Sequence, residues 1–185
     1  MKLKDIAKIT TGIYRKGSSA GDVFNLIARD FDKYGKLKPD REPSIILNES
    51  IEKHFLSKGD ILFAAKGFDN FAYVFNEEVK PAVASSMFLV LKNLNRHLIL
   101  PDYLAWLLNH PNTQKKFKSM ARGTNLPSIS KQSLGDLEIP IPNIEKQKLI
   151  IKISDLYKKE LQLKDEIRKL KDKMINQKLY NAIKE

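Results

Sequence analysis

Between Arg96 and Lys131 the chain carries six basic residues against a single acid, Asp102. Four of them, Lys115, Lys116, Lys118 and Arg122, lead directly into Gly123-Thr124-Asn125, and Ser128 and Lys131 follow within nine residues of Arg122. Ammonium and guanidinium groups suit charge-assisted contact with phosphate. Hydroxyls, an amide and open backbone N–H groups suit phosphate or base edges. On residue type, Lys115, Lys116, Lys118, Arg122 and Lys131 are expected to contact phosphate. Lys66, Thr124, Asn125 and Ser128 are expected to make base or mixed contacts. By composition alone, a plain polar connection rich in turn formers accounts for residues 123–130 better.

Other chemistries find weaker support. Pro39-Asp40 with Glu78-Val79-Lys80 nominally matches the pattern of a Mg²⁺-dependent nuclease, in which Asp40 and Glu78 would hold the metal and Lys80 would assist the attacking water. Prolines flank Asp40 and closely follow Glu78, and so loose a match arises by chance. His54, His97 and His110 lack a helical i, i+4 partner or a nearby acid cluster, so no metal site is expected. Neither G-x-G-x-x-G nor Walker A nor Asp/Asn-Pro-Pro-Tyr/Phe occurs, which leaves no home for a nucleotide or methyl donor. No cofactor is expected, and no catalytic residue.

The positioning elements follow from periodicity. Lys2–Thr10 spaces Leu3, Ile6, Ala7 and Ile9 near helical period, predicting a short helix or turn ended by Gly12. A Gly/Ser-rich loop covers Tyr14–Asp22. Short strands are predicted at Val23–Ala28 and Ser44–Leu47, on either side of a long polar excursion. Lys58-Gly59-Asp60 supplies a turn into a strand through Ile61–Ala64, closed by Lys66-Gly67. Phe71–Phe75 and Ala82–Leu91 continue the strand pattern.

Pro101 suits the first turn of a helix striped by Leu104, Leu107 and Leu108 beside Trp106. His110-Pro111 interrupts it, and a second helix carries Phe117, Met120 and Ala121 on one face before a Gly123 cap. Leu137, Ile139 and Ile141 alternate as an edge strand closed by Pro140 and Pro142. From Asn143 a charged helix of ~39 residues, ~58 Å long, runs almost to the end. Its apolar seam holds Ile153, Leu156, Leu163, Ile167, Leu170 and Met174, broken by Glu160, Gln177 and Asn181. Such a helix wants a partner helix. The expected division is 1–142, a mixed α/β (α+β) globule, and 143–185, the helix.

Composition sets the outer bounds. The 185 residues, 42% hydrophobic and 30% charged, describe an ordinary globular chain with no cysteine for disulfides or thiolate metal sites. The N-terminus lacks a signal-peptide core, and no run approaches the ~20 apolar residues of a membrane span. A cytoplasmic chain with no membrane contact is expected. The net charge of +11 favours an anionic partner, with nucleic acid first. Its excess lies in residues 96–131 and in the terminal helix, where 12 Lys/Arg oppose 7 Asp/Glu from Glu145 onward. A basic coiled-coil scaffold serving acidic protein surfaces is the structural alternative.

One resemblance draws these features together. Lys2-Leu3 to Ile9, then Lys58-Gly59-Asp60-Ile61-Leu62 with Gly67, form its first part. Gly123-Thr124, Ile129-Ser130, Leu134, Leu137, Ile139-Pro140-Ile141-Pro142, Glu145, Gln147 and Ile150 complete it. In that order they resemble the DNA-specificity subunit of type I restriction–modification systems, and the likeness spans essentially the whole chain. It implies a target-recognition domain that reads a few base pairs of double-stranded DNA, followed by a spacer helix. A full subunit carries two such modules whose helices pair as an antiparallel coiled coil. DNA methyltransferase (modification) subunits dock on it, and a restriction/translocase subunit can join. The resemblance implies a non-catalytic role for the subunit itself. Only one module is present, at about half the expected length. The chain is thus expected to be a fragment or a half-subunit that dimerises through the seam, as a homodimer over a gapped palindrome.

Overall fold

The computed structural model describes residues 1–15, 21–32, 35–120 and 127–183. It divides into two units, Met1–Lys148 and Leu149–Glu185. The architecture of the first is α+β. Its main sheet is antiparallel throughout, with β1 (Lys8–Thr11), β6 (Phe88–Lys92), β3 (Ile61–Ala64) and β4 (Ala72–Val74) side by side in that order. A smaller parallel pair joins β2 (Phe24–Leu26) to β5 (Ala82–Ala84). The helices are α1 (Glu49–Glu52), α2 (Pro101–Asn109), α3 (Pro111–Met120), α4 (Lys131–Gly135) and α5 (Ile144–Ala182).

The sheet is buried on both faces, so Ile-Leu-Phe-Ala in β3 is a continuous apolar run instead of an alternation. Leu62, Ala64, Tyr73, Phe88 and Val90 form one face and pack with Leu26, Phe31, Phe75 and Ala84. On the other face Phe63 meets Phe117 of α3, with ring centroids 4.9 Å apart. The turn that feeds β3 is held from several sides. Gly59 takes φ +90°, a conformation that favours glycine. Asp60 accepts the Ser57 N–H at 3.0 Å and lies 3.4 Å from the Lys92 ammonium. Arg96 donates to the Lys58 carbonyl at 2.6 Å.

Several local expectations needed correction. The helix or turn predicted over Lys2–Thr10 shrinks to a 3-10 turn at Leu3–Asp5, and the chain then enters β1. Leu3, Ile6, Ala7 and Ile9 are all buried as their spacing suggested, but β-branched Ile9-Thr10-Thr11 pairs with β6. Ser44–Leu47 forms no strand. A single bridge joins Ile45 to Val23, and Ile46 is exposed. Ala82–Leu91 breaks into β5 and β6 around Ser85–Met87. Residues 137–141 form one bridge, Glu138 to Lys2, instead of a strand. Met120 is exposed although Phe117 is fully buried. The short helix α4 was not foreseen; Ser130 caps it by accepting the Ser133 N–H at 2.9 Å.

Three helical boundaries stand where they were expected, while Ala121 and the Gly123 cap lie outside the described residues. Pro101 sits in the first turn of α2, His110 is its C-cap, and Pro111 opens α3. Asn143 caps α5 by accepting the Lys146 N–H at 2.9 Å. One turn later Gln147 is fully buried. Its amide nitrogen donates to the carbonyls of Leu98 and Pro142, both at 2.8 Å. Its amide oxygen accepts the Leu100 N–H at 2.9 Å, the residue that caps α2. Tyr103 adds a bond from its hydroxyl to the Pro140 carbonyl at 2.9 Å. A neutral amide is the one side chain of this size that can both donate and accept here.

Gln147→Ala is expected to lower unfolding free energy by about 3 kcal/mol, because three part-buried hydrogen bonds to the backbone, worth about 1 kcal/mol each, are lost. Gln147→Glu should cost at least as much, since a carboxylate cannot donate to two carbonyls. Urea denaturation followed by circular dichroism checks both.

Candidate nucleic-acid interface

The hairpin formed by β3 and β4 turns over through Ala65–Phe71, and this turn is fixed from both sides. Ala64 N–H donates to the Phe71 carbonyl at 2.8 Å, and the Asn70 side chain donates to the Ala64 carbonyl at 2.8 Å. Gly67 takes φ +112°, which reverses the chain without a side chain to strain. Residues 127–129 lie alongside. Gly67 N–H donates to the Pro127 carbonyl at 2.9 Å and Ile129 N–H to the Ala65 carbonyl at 2.8 Å. This makes an antiparallel bridge between Lys66 and Ser128. Two residues expected to contact DNA, 62 positions apart in sequence, are therefore neighbours.

Where the turn enters β4, Asn109 of α2 grips Ala72. Its carbonyl oxygen accepts the Ala72 N–H and its NH₂ donates to the Ala72 carbonyl, each at 2.8 Å. β4 is an edge strand, and this side chain supplies the pairing that a further strand would have made.

The lysines of α3 are arranged differently. Thr113 and Phe117 face inward, and Lys115, Lys116 and Lys118 are exposed. At 100° per residue, Lys116 and Lys118 stand on opposite flanks, roughly 160° apart, with Lys115 between them. Lys116 lines a cleft of about 260 Å³ with Trp106, His110, Glu138 and Pro140. Lys131 opens α4 and belongs to another surface, a shallow cavity of about 540 Å³ shared with Lys4, Lys8 and Asp136. The Lys4 ammonium lies 2.8 Å and that of Lys2 3.2 Å from the Asp136 carboxylate. Hydrogen bonding from Lys4, then from Lys2, holds the Asp136 carboxyl below its ordinary range, and Asp136 raises Lys4 in return. Composition did not single out Lys4 and Lys8, because they lie outside the basic cluster of sequence. Arg122, Thr124 and Asn125 lie outside the described residues.

Two residues of the nuclease pattern, Glu78 and Lys80, have other partners. The Tyr73 hydroxyl donates to Glu78 at 2.7 Å, and burial, followed by that bond, pushes the Tyr73 phenol well above its ordinary value. Lys80 pairs with Glu77 at 3.3 Å. Among the described residues no three His, Cys, Asp or Glu side chains gather as a metal site. His110 packs its ring against Trp106 and accepts the Asn112 N–H on Nδ1 at 3.2 Å, as befits a helix end.

In the second unit, Ile153, Leu156, Leu163, Ile167, Leu170 and Met174 are all about half exposed or more, and Leu149 extends the seam by one step. Its polar members are satisfied locally: Glu160 pairs with Lys164 at 2.6 Å and Gln177 donates to Asn181 at 2.9 Å. Among the described residues no helix is long and apolar enough to cross a membrane.

Residues 1–171 match the family described as the type I restriction modification DNA specificity domain. The putative type I restriction enzyme MjaX specificity subunit of Methanocaldococcus jannaschii is 39% identical over 111 residues, 58% of this chain and 26% of that protein. The type I restriction enzyme HindI specificity subunit of Haemophilus influenzae is 28% identical over 156 residues, 75% of this chain and 34% of that protein. The fold is similar to that of the HsdS subunit from Thermoanaerobacter tengcongensis, with a TM-score of 0.64 at 18% identity over 92% of this chain and 43% of the other. It is also similar to the type I restriction–modification S subunit from M. genitalium, with a TM-score of 0.58 at 15% identity over 88% and 39%. The aligned region spans about a quarter to under half of these relatives.

Gly67→Ala tests how rigidly the turn is held. No atom lies within 4 Å of an added Cβ, so the cost is that of the backbone conformation alone. It should be about 1 to 2 kcal/mol by thermal unfolding, with faster amide exchange confined to residues 65–71.

Proposed function

This chain belongs to the type I restriction–modification DNA-specificity family, and from that membership we propose that it selects the DNA target of a restriction–modification assembly. The observation that carries the proposal is the extent of the family match, which runs through the globule and into α5. In this reading residues 1–142 grip double-stranded DNA, and residues 143–185 set spacing and dock other subunits. Those subunits are DNA methyltransferase (modification) subunits and a restriction/translocase subunit, which carry the chemistry. The chain makes and breaks no bond and needs no cofactor. Duplex DNA as target places its work in the cytoplasm.

The excess of Lys and Arg supplies sequence-indifferent attraction that weakens with salt, and a few side chains add discrimination. Lys115, Lys116, Lys118, Arg122 and Lys131 are assigned to phosphates. Lys66, Thr124, Asn125 and Ser128 are assigned to bases or to mixed contacts, supported for Lys66 and Ser128 by their adjacency. The exposed seam on α5 supports pairing with a second copy in an antiparallel coiled coil. That pairing would give a two-fold axis and a gapped palindromic target.

Two measurements test this reading. Lys116→Ala and Arg122→Ala should each lower the slope of log affinity against log salt by about one and weaken all duplexes alike. Unchanged affinity at low salt removes the assignment. Leu163→Asp with Leu170→Asp should convert dimers to monomers in sedimentation; association that persists unaltered misplaces the seam.

A further inference from the structure

Of the nine phenylalanines in the chain, eight are buried or partly buried, while Phe68 is 74% exposed. The contrast is local. Phe71, three residues on, packs against Phe31 and Phe88 with ring centroids 5.2 and 5.9 Å away. Phe68 does not project from a loose loop. It stands at the tip of the β3–β4 hairpin, between the bond from Gly67 to Pro127 and the bond from Asn70 to Ala64. Asn109 holds the start of β4 just after the turn, and residues 127–129 hold its side. The backbone on either side of Phe68 is thus held by hydrogen bonds while its ring is exposed to solvent.

The neighbours of the ring indicate what it meets. Lys66 lies two residues before it and is bridged to Ser128, and Asp69 follows it directly; the side chains of Asp69 and Ser128 are exposed. A cation alone would fit phosphate. An exposed carboxylate in the same turn is repelled by a phosphate backbone, and its favourable counterparts on duplex DNA are the amino groups that cytosine (N4) and adenine (N6) present in the major groove. That groove admits a two-stranded β-ribbon, and there an apolar side chain finds one apolar group, the 5-methyl of thymine. Building on the DNA-reading function above, we propose that the tip Lys66–Asn70 enters the major groove and that Phe68 discriminates for thymine through its 5-methyl group.

The test uses the full chain, alone and assembled with DNA methyltransferase subunits. Each preparation first selects its target from a randomised duplex library. Every thymine of that target is then replaced in turn by deoxyuridine, which removes only the methyl group. One replacement should weaken wild-type binding about fourfold, the worth of one buried carbon. Phe68→Ala should bind the thymine duplex about fourfold less tightly and lose discrimination against uracil at that position. It should keep the wild-type salt slope and melting temperature, since Phe68 is uncharged and exposed. The inference is overturned if no thymine-to-uracil replacement separates the variant from the wild type. It is equally overturned if 2-aminopurine fluorescence rises on wild-type binding and not on Phe68→Ala binding, the mark of a wedge driven between bases. If neither preparation enriches any sequence, the DNA-reading function itself fails, a result distinct from both.

Discussion

A single buried amide connects the parts of the first unit that sequence keeps far apart. Gln147 lies in the first turns of α5, and its three hydrogen bonds end on Leu98, Leu100 and Pro142. Leu100 caps α2, and the last residue of α2, Asn109, holds Ala72 at the edge of the sheet. Ala72 belongs to the strand that descends from the hairpin tip. The position of the tip against residues 127–129 is therefore tied to a short series of elements, each joined to the next by a side-chain amide. Net gain per hydrogen bond is only about 1 kcal/mol, but an unpaired buried group costs more. The amide thus acts mainly by excluding other arrangements.

The segment around it is pinned twice more. Leu3 N–H donates to the Leu137 carbonyl and Ile139 N–H to the Met1 carbonyl, so the first residues of the chain lie along residues 137–139. Lys2 and Lys4 both reach Asp136 from the same side. Residues 127–129, 136–140 and 142–147 consequently bond, in turn, to the sheet's hairpin, to the N-terminus and to the approach to α2. A stretch that reads in sequence as a connector between globule and helix is, in space, the part that several elements touch. The Asp136 ion pairs add a pH dependence of definite sign. Because the folded carboxyl titrates below its ordinary range, the contribution is present at neutral pH and fades as acid passes through that lowered value.

How far the sequence disclosed this depends on the range of the interactions. Pro101, His110-Pro111 and Asn143 mark helix boundaries through local backbone chemistry, and the structure places the boundaries there. Ile61–Ala64 was legible because a strand buried on both faces needs no alternation. β1 was hidden because Ile6, Ala7 and Ile9 fit a helical spacing, while the pairing with β6 that decides the matter lies some eighty residues away. Residues 137–141 alternate like a strand but meet only the chain start, which is too short to build a ladder. For the candidate interface, residue type pointed to Lys66 and Ser128, but their adjacency rests on a long-range bridge. The spread of Lys115, Lys116 and Lys118 follows once Phe117 is known to face inward, a fact of packing rather than of charge. Phe68 gave no signal, since Gly-Phe-Asp-Asn reads like any turn and exposure is settled by the rest of the fold.

The seam of α5 and the ring of Phe68 are both exposed apolar surface, and they call for different partners. The seam of α5 repeats every three or four residues over several turns, so its complement must repeat likewise, which another helix does and a nucleic acid does not. Phe68 is a single ring on a hydrogen-bonded turn that also carries Lys66 and Asp69, and the complement proposed for it is small, apolar and bordered by donors and acceptors. The basic charge distinguishes neither, because it acts at long range on any polyanion. Attraction and discrimination are thus assigned to different atoms. In the proposed reading, lysines spread over several faces gather a duplex in many orientations, and a tip held by hydrogen bonds on both sides adds preference for one sequence within it.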